Sequence, residues 1–454
     1  MARTAAGEFA YRRVYRYLEA LIGQATAGGP NRLPSLRELS RRLRVSLATV
    51  QSAYSLLEEE GRVHCLPRSG YYVRLADLPQ GGMPRQAPLP AQPLLERALF
   101  THERRLARQR ERGAGPWEVQ GSARLRDALA ERYTRCSRQY WRADDVQLAP
   151  DVPALLETLL AALALQRGTT VLVQSPCCGH VLRALARAGM RVLEVPPDSR
   201  GNPDLQAVAR LLGCEPVRLL VMPSCLGLPQ GRLVSLHYQQ QLGLLLSQHS
   251  VWLLENDLDS ELCYSGPPAT RLRDWVDPRR LMIMGAFEAA VGPEAPYAYV
   301  LSVDTALAKA FCERAFRLAP LRLLALAHLL AKGDIEAQLV ALRSNLQQRT
   351  QNLACALTAQ FAQRVVLEEP PQGGRMLWVR FEQPLAWDAI ATALAGCALH
   401  ALPGEQFSLH GRYRQHLALM WLGDCPGDLQ QAVQRLAQAL ELRRRRVRRF
   451  PAES

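Results

Sequence analysis

The chain has 454 residues, 48% of them hydrophobic, which is more than one small domain needs and enough for a sizeable core. No segment is as long and apolar as a membrane span requires, and the N-terminus lacks a signal-peptide pattern, so we expect a cytoplasmic protein that has no membrane partner. Eleven scattered cysteines without C-x-x-C pairs predict reduced thiols and no metal site.

The formal net charge of +14 is concentrated at the two ends of the chain. Residues 1–74 hold twelve Arg against six Glu, a surplus that suits contacts with phosphate groups. The basic tail, residues 443–454, holds six Arg and one Glu. The tail is interpreted either as the solvated end of a last helix or as a second phosphate contact. Almost all of the positive charge comes from arginine, because Lys309 and Lys332 are the only lysines.

Residues 1–74 show the pattern of three helices and a hairpin. The segment Ser35-Leu36-Arg37-Glu38 is a capping box that starts a short helix ending near Leu43. The helix before it and the helix after Ser46 each have an apolar stripe, formed by Val14, Leu18, Leu21 and Ile22 in the first and by Val50, Ala53, Tyr54 and Leu57 in the second. The sequence pattern has a period of two residues in 63–66 and 71–73, on either side of a turn at 67–70, and this predicts a two-stranded wing.

The outer face of the helix after Ser46 is small and polar. Its outward residues are Ala48, Thr49, Gln51 and Ser52. Such side chains at the first turns of a helix let it approach base edges in the major groove, where bulkier groups would hold it away. We therefore interpret residues 1–74 as a winged helix-turn-helix domain, the alternative being a small helical subdomain without a ligand.

Three segments here, 33–39, 45–50 and 57–61, resemble the winged helix of the GntR family of bacterial transcription regulators. The resemblance implies double-stranded DNA as the partner. It implies contacts by eight residues: Ser35, Arg37, Ser46, Thr49, Gln51, Ser52, and, at the wing tip, Arg68 and Ser69. Leu47 stands where many relatives carry arginine, so the DNA site should differ from theirs.

Residues 75–93, rich in Pro, Gly and Gln, predict a linker, and residues 94–442 predict a larger domain. Helical patterns there alternate with short apolar runs at 170–173, 191–195, 217–221, 251–254, 281–284 and 297–300. This alternation predicts an α/β fold with a mostly parallel sheet covered on both faces. A helical stretch at 306–360 and later runs at 376–379 and 417–420 predict a smaller α+β subdomain.

Within this larger domain, Gly285–Tyr299 aligns with the motif G-T-F-S-K-x-L-A-P-x-x-R-x-G-Y, and Glu255–Leu262 aligns with E-D-D-Y-D-S-E-F. Residues 119–440 thereby resemble the fold-type I aminotransferase domain that the MocR subgroup of GntR regulators carries behind its winged helix. The resemblance implies a homodimer with its pocket at the subunit interface. It also implies pyridoxal phosphate held by a lysine Schiff base.

The residues that such a cofactor site needs are replaced at the aligned positions. Ala289 stands at the Schiff-base lysine, Asn256 at the carboxylate that protonates the pyridine nitrogen, and Asp151 in the phosphate-binding turn. Six further positions are altered: the phosphate arginine (Pro296), its neighbouring serine (Glu288), the ring phenol (Leu258), the ring asparagine (Leu228), the stacking aromatic (Cys178) and the substrate arginine (Ala418).

The winged helix predicts a transcription regulator that is nucleoid-associated when bound to its operator. The replacements predict that this regulator is not an enzyme and has no covalently bound cofactor. Its large domain would serve dimerisation, sensing of a small-molecule effector, or both. The alternatives are a pyridoxal phosphate-dependent transaminase, a cofactor-binding regulator of the MocR type, and a purely structural domain.

Overall fold

The computed structural model describes residues 14–15, 17–18, 21–22, 32–59, 63–66, 70–73, 93–110, 117–198, 200–361, 365–367, 369–382, 385 and 387–449. Within these ranges no helix has the length and apolar character needed to cross a membrane.

The N-terminal domain is a winged helix built from α1 (Leu36–Leu43), α2 (Leu47–Glu59), β1 (Val63–Leu66) and β2 (Gly70–Val73). The Ser35 hydroxyl caps α1 by accepting a hydrogen bond from the backbone N–H of Glu38 at 3.3 Å. The stripe predicted on α2 is fully buried. The described residues between 14 and 22 are helical and add Val14, Leu18 and Ile22 to the same core. The predicted order of helices and wing strands is confirmed.

The large domain is organised around a seven-stranded sheet of order β3-β11-β10-β9-β6-β4-β5. The strands are β3 (Val146–Ala149), β4 (Thr170–Gln174), β5 (Arg191–Val195), β6 (Val217–Pro223), β9 (Trp252–Asn256), β10 (Leu281–Ala286) and β11 (Ala298–Leu301), while β7 (Leu226–Gly227) and β8 (Arg232–Leu233) form a separate pair. Strands β10, β9, β6, β4 and β5 are parallel to one another, and β11 runs antiparallel to both of its neighbours, β3 and β10. This confirms the predicted mostly parallel sheet, although β3 was not predicted.

Helices cover both faces of this sheet. They are α3 (Pro93–Arg110), α4 (Trp117–Arg135), α5 (Val152–Ala162), α6 (Gly179–Arg187), α7 (Leu205–Cys214), α8 (Leu236–Leu246), α9 (Glu288–Val291), α10 (Thr305–Arg314), α11 (Pro320–Ala331) and α12 (Asp334–Phe361). Strand residues alternate between two apolar clusters: Leu172 lies in one, and Val171 and Val173 lie in the other. Burial on both faces explains the uninterrupted apolar runs.

The helical stretch predicted at 306–360 is divided into α10, α11 and α12. Pro320 occupies the first turn of α11, and Gly333 separates α11 from α12 with a φ of 74°. Proline suits a helix start and a positive φ suits glycine, so both interruptions follow from the residue types.

The smaller subdomain has a four-stranded antiparallel sheet of order β12-β13-β15-β14. Its elements are β12 (Val365–Leu367), β13 (Leu377–Phe381), α13 (Trp387–Ala393), β14 (Leu399–Pro403), β15 (His416–Trp421) and α14 (Pro426–Arg449). Helix α14 buries Leu429, Val433 and Leu436 against this sheet. Its backbone stays helical through the basic tail to Arg449, and the tail side chains lie outside the described residues.

Candidate functional site

The outer face of α2 carries most of the predicted DNA-contacting residues. The Ser46 hydroxyl accepts from the backbone N–H of Thr49 at 3.1 Å, and the two hydroxyl oxygens lie 2.8 Å apart. Ser52 donates its hydroxyl proton to the carbonyl of Ala48 at 3.0 Å. Thr49 is half-buried, whereas Gln51 is exposed. The hydroxyls of Ser46, Thr49 and Ser52 therefore make hydrogen bonds within the helix and at its start. The exposed amide of Gln51 is the side chain on this face that is best placed to contact a base.

Helix α2 is fixed to the rest of the domain by Tyr54. The Tyr54 hydroxyl donates to the carbonyl of Pro34, and its ring stacks on Tyr71 with centroids 4.0 Å apart. These contacts tie α2 to β2 and to the segment that leads into α1. On α1, Arg37 is exposed. The predicted wing-tip residues Arg68 and Ser69 lie outside the described residues.

A second candidate site lies at one edge of the large sheet. The carboxyl ends of β3, β4, β9 and β10 meet at the same edge, because β11 runs opposite to both β3 and β10. Ligands of open α/β sheets bind at this edge. The structure brings six of the altered positions there: Asp151, Cys178, Asn256, Glu288, Ala289 and Pro296.

At this edge Asp151, predicted to lie in a phosphate-binding turn, stands at the start of α5. Its carboxylate accepts from the backbone N–H of Ala154 at 2.7 Å and so caps α5. Pro153, in the first turn, has no N–H to donate. A helix N-terminus binds anions through free N–H groups, and here a carboxylate already uses one of them.

The remaining three altered positions have become part of apolar clusters. Ala418 lies on β15 between Trp378 and Leu402 and is 2% exposed. Leu258 is buried beneath the sheet edge, and Leu228 packs on the cluster of Cys225, Leu226 and Cys263. Leucine and alanine have no polar group with which to replace the amide, phenol and guanidinium of the family motifs.

Glu288 and Arg375 supply charge at the edge, and the sequence predicted only the first. Burial raises the pKa of Glu288. The guanidinium of Arg375 lowers this pKa, and the carboxylates of Asp259 and Asp151 raise it further. The Arg375 guanidinium lies 3.4 Å from Asp259. Burial likewise raises the pKa of Asp259. The sequence signal that could have identified Arg375 is its position directly after Gly373-Gly374, because two glycines leave room for close packing.

A buried ion network forms the floor beneath this edge, and sequence reasoning missed it. Arg273, 0% exposed, donates to Glu255 at 2.8 Å and lies 2.6 Å from Asp257. Arg271 lies 3.1 Å from the same Asp257 carboxylate. Burial alone would raise the pKa of Asp257, but the two guanidinium groups lower it well below its usual range.

The network is completed by two tyrosines from neighbouring elements. The Tyr133 hydroxyl donates to Asp257 at 2.8 Å and lies 3.3 Å from the hydroxyl of Tyr299. The Tyr299 ring lies against Gly285, where a Cβ atom would come within 2.4 Å of the ring. Glycine on β10 is therefore required for this contact.

Neither lysine follows a strand at the site edge. Lys309 is on α10, where its side chain is 78% exposed and its ammonium lies 3.7 Å from Glu313. Lys332 caps the C-terminus of α11. The side chains at the edge therefore form a charged, lysine-free set whose carboxylates are unsuited to a phosphorylated cofactor.

A winged helix joined to an α/β domain of this topology defines a DNA-binding regulator built on an aminotransferase fold. The sequence model "Bacterial regulatory proteins, gntR family" matches residues 10–73, and "Aminotransferase class I and II" matches residues 90–420. The chain belongs to the aminotransferase class I and II family in its larger part, and with its GntR domain it is a DNA-binding transcription regulator of the MocR type.

Two relatives that are named as regulators match nearly the whole chain. The HTH-type transcriptional regulator YjiR of Escherichia coli is 22% identical and covers 94% of this chain and 98% of its own length. The probable rhizopine catabolism regulatory protein MocR of Rhizobium meliloti is 24% identical over 94% of this chain and 93% of its own. The solved aminoadipate aminotransferase LysN of Thermus thermophilus has a TM-score of 0.68 and 22% identity, over 78% of this chain and 91% of its own. The last likeness shows the fold of the large domain.

Proposed function

We propose that this regulator reads a specific DNA site with the outer face of α2, and that its large domain has lost pyridoxal phosphate catalysis. In this proposal Arg37, Ser46, Thr49 and Gln51 contact DNA directly, helped by Ser35 and Ser52. The large domain, residues 94–442, forms the homodimer and holds the effector site. The chain is then a regulator without enzymatic activity.

The observation that carries the loss of catalysis is Ala289. It lies in α9 just beyond the end of β10 and aligns with the family's Schiff-base lysine. Alanine has no amine with which to form an aldimine, and the chain's two lysines lie on or at the end of other helices. Glu288 and Asp151 add negative charge beside the same position, which opposes a phosphate.

The experiment that tests this proposal is a visible spectrum. The full-length protein is incubated with pyridoxal phosphate, separated from free cofactor and scanned. We expect no absorbance band, because a lysine aldimine is what gives such proteins their colour. A stoichiometric band that persists after separation would support the transaminase or cofactor-binding alternative instead. Footprinting on the DNA upstream of the protein's own gene tests the DNA-reading part independently.

A further inference from the structure

Two buried cysteines of the large domain lie side by side, and neither has a role in the proposed function. Cys225 lies between β6 and β7, and Cys263 directly follows the turn Ser260–Leu262. Both are 0% exposed, and their Sγ atoms are 3.9 Å apart. A disulfide bond is about 2 Å long, so the two sulfur atoms need to approach each other by only about 2 Å to form one.

The backbone at both cysteines can accommodate this approach. Cys225 belongs to the short connection Ser224–Cys225 and is outside any helix or strand. Cys263 pairs with Gly373 through an isolated bridge and not through a ladder of strand pairs. Because neither residue is held inside a helix or a long strand, rotation of the two side chains and a small shift of these turns bring the sulfur atoms together.

Only a thin layer of the protein covers the pair. Cys225, Cys263 and Leu226 form a small apolar cluster of their own, and Leu228 and Leu233, which pack against it, are partly exposed. Leu226 and Leu233 belong to β7 and β8, which are strands of two residues each. Elements with so few backbone hydrogen bonds open locally at low free energy, and such opening admits a small molecule to the cluster.

The surroundings favour a thiolate at Cys225 rather than at Cys263. The hydrogen bond from Cys263 lowers the pKa of the Cys225 thiol more than burial raises it, and the guanidinium of Arg271 lowers this pKa further. The same hydrogen bond, together with burial, raises the pKa of Cys263. Among the described residues the buried Nε atom of Arg271 has no hydrogen-bond partner, so this guanidinium keeps a donor that no carboxylate uses. The thiolate is the form of cysteine that attacks an oxidant.

We infer that Cys225 and Cys263 form a redox pair, which a hydroperoxide converts into a disulfide and a thiol reduces again. First, the Cys225 thiolate attacks the O–O bond. An S–O bond forms, the O–O bond breaks, and the leaving oxygen takes up a proton and departs as water or an alcohol. Cys263 then attacks the Sγ atom of Cys225, so that the S–S bond forms and the S–O bond breaks with release of water. The peroxide thus gains the electrons that the two thiols lose.

The test treats the folded full-length protein with hydrogen peroxide, blocks the remaining thiols under denaturing conditions and maps the disulfides by peptide mass spectrometry. We expect a peptide pair joined through Cys225 and Cys263, which disappears after exchange with dithiothreitol, the dithiol being oxidised in turn. Cys225→Ser and Cys263→Ser should each abolish the joined pair. The control Cys177→Ser, which removes another buried cysteine, should keep it.

The two variants should also differ in the product that peroxide leaves. In Cys263→Ser the oxidised Cys225 has no partner, so dimedone, which labels sulfenic acids, should react with it. Labelling of Cys263 in Cys225→Ser should be about tenfold lower, because Cys263 carries less thiolate. Equal labelling of the two would overturn the assignment of Cys225 as the attacking thiol.

The wild type alone decides whether the pair exists, so the result does not depend on how well the variants fold. The inference is wrong if the folded wild type forms no joined pair at a peroxide concentration that oxidises the exposed Cys312. It is also wrong if the joined pair forms only after the protein is unfolded, because two thiols that meet only in the unfolded chain are not a site of the fold.

Discussion

At the scale of single residues, the buried ion network makes the large domain dependent on Asp257. Asp257→Asn removes the charge that compensates Arg271 and Arg273, both almost fully buried. Leaving the buried guanidinium of Arg271 without its carboxylate, and that of Arg273 with Glu255 alone, should lower the free energy of unfolding of this domain by about 3 kcal/mol or more. Denaturant unfolding at pH 7 measures the effect. Asp277→Asn, which breaks the exposed pair with Arg279, is the control and should leave the midpoint unchanged.

The stability lost in Asp257→Asn, relative to wild type, should depend on pH. The pKa of Asp257 is lowered in the folded protein, so its charged form stabilises the fold above the unfolded-state pKa of about 4. This contribution is lost as the pH falls through that value toward the folded-state pKa. The stability difference between wild type and Asp257→Asn should therefore narrow below about pH 4. A difference that stays constant from neutral to acidic pH would contradict this origin.

Restoring the lysine alone should not restore the cofactor. Ala289→Lys supplies an amine, but Glu288 and Asp151 still oppose the phosphate, and Asn256 cannot keep the pyridine nitrogen protonated. We expect this variant to stay colourless at modest pyridoxal phosphate concentrations. A visible band should need Asn256→Asp, Pro296→Arg and Glu288→Ser in addition. If the single variant turns yellow stoichiometrically, the phosphate site is intact and the enzyme alternative gains support.

At the scale of elements, the polar residues that we propose to contact DNA differ in whether their side chains also bond within the helix. Ser46 and Thr49 are engaged in the helix cap, whereas the exposed amide of Gln51 can pair with an adenine edge. Gln51→Ala should cost about 1 to 3 kcal/mol on the specific site and leave binding to random DNA unchanged. Arg37→Ala should instead weaken both and reduce the salt dependence. Equal losses on both DNAs for Gln51→Ala would show that Gln51 does not read sequence.

The second element with a testable role is the end of α14. Its helix continues through the arginines to Arg449, which suits either a solvated helix end or a row of phosphate contacts. If it binds phosphates, deleting residues 443–454 should reduce the log-log salt slope of DNA binding by about 0.9 for each phosphate that the tail neutralises. Replacing the six arginines by lysine keeps the charge and should keep the slope. An unchanged slope after deletion would favour the solvated end.

At the scale of the whole molecule, the fold was largely predictable and the site only partly so. Apolar periodicity predicted α2 and most strands of the large sheet, because burial on one or both faces leaves a repeat in the sequence. The edge strand β3 was missed. The ion network was missed because Arg271 and Arg273 are far along the chain from Tyr133, and no local pattern reports contacts of that range.

Dimerisation through the large domain would determine how the winged helices bind DNA. We expect a homodimer through the large domain, since related domains build their pocket at a subunit interface and altering the pocket leaves that surface in place. Two winged helices should then bind two half-sites of related sequence. Light scattering at micromolar concentration should give twice the mass of one chain, and removing one half-site should lower the affinity sharply. A monomer that binds a single half-site with full affinity would contradict both the dimer and the role proposed for the large domain.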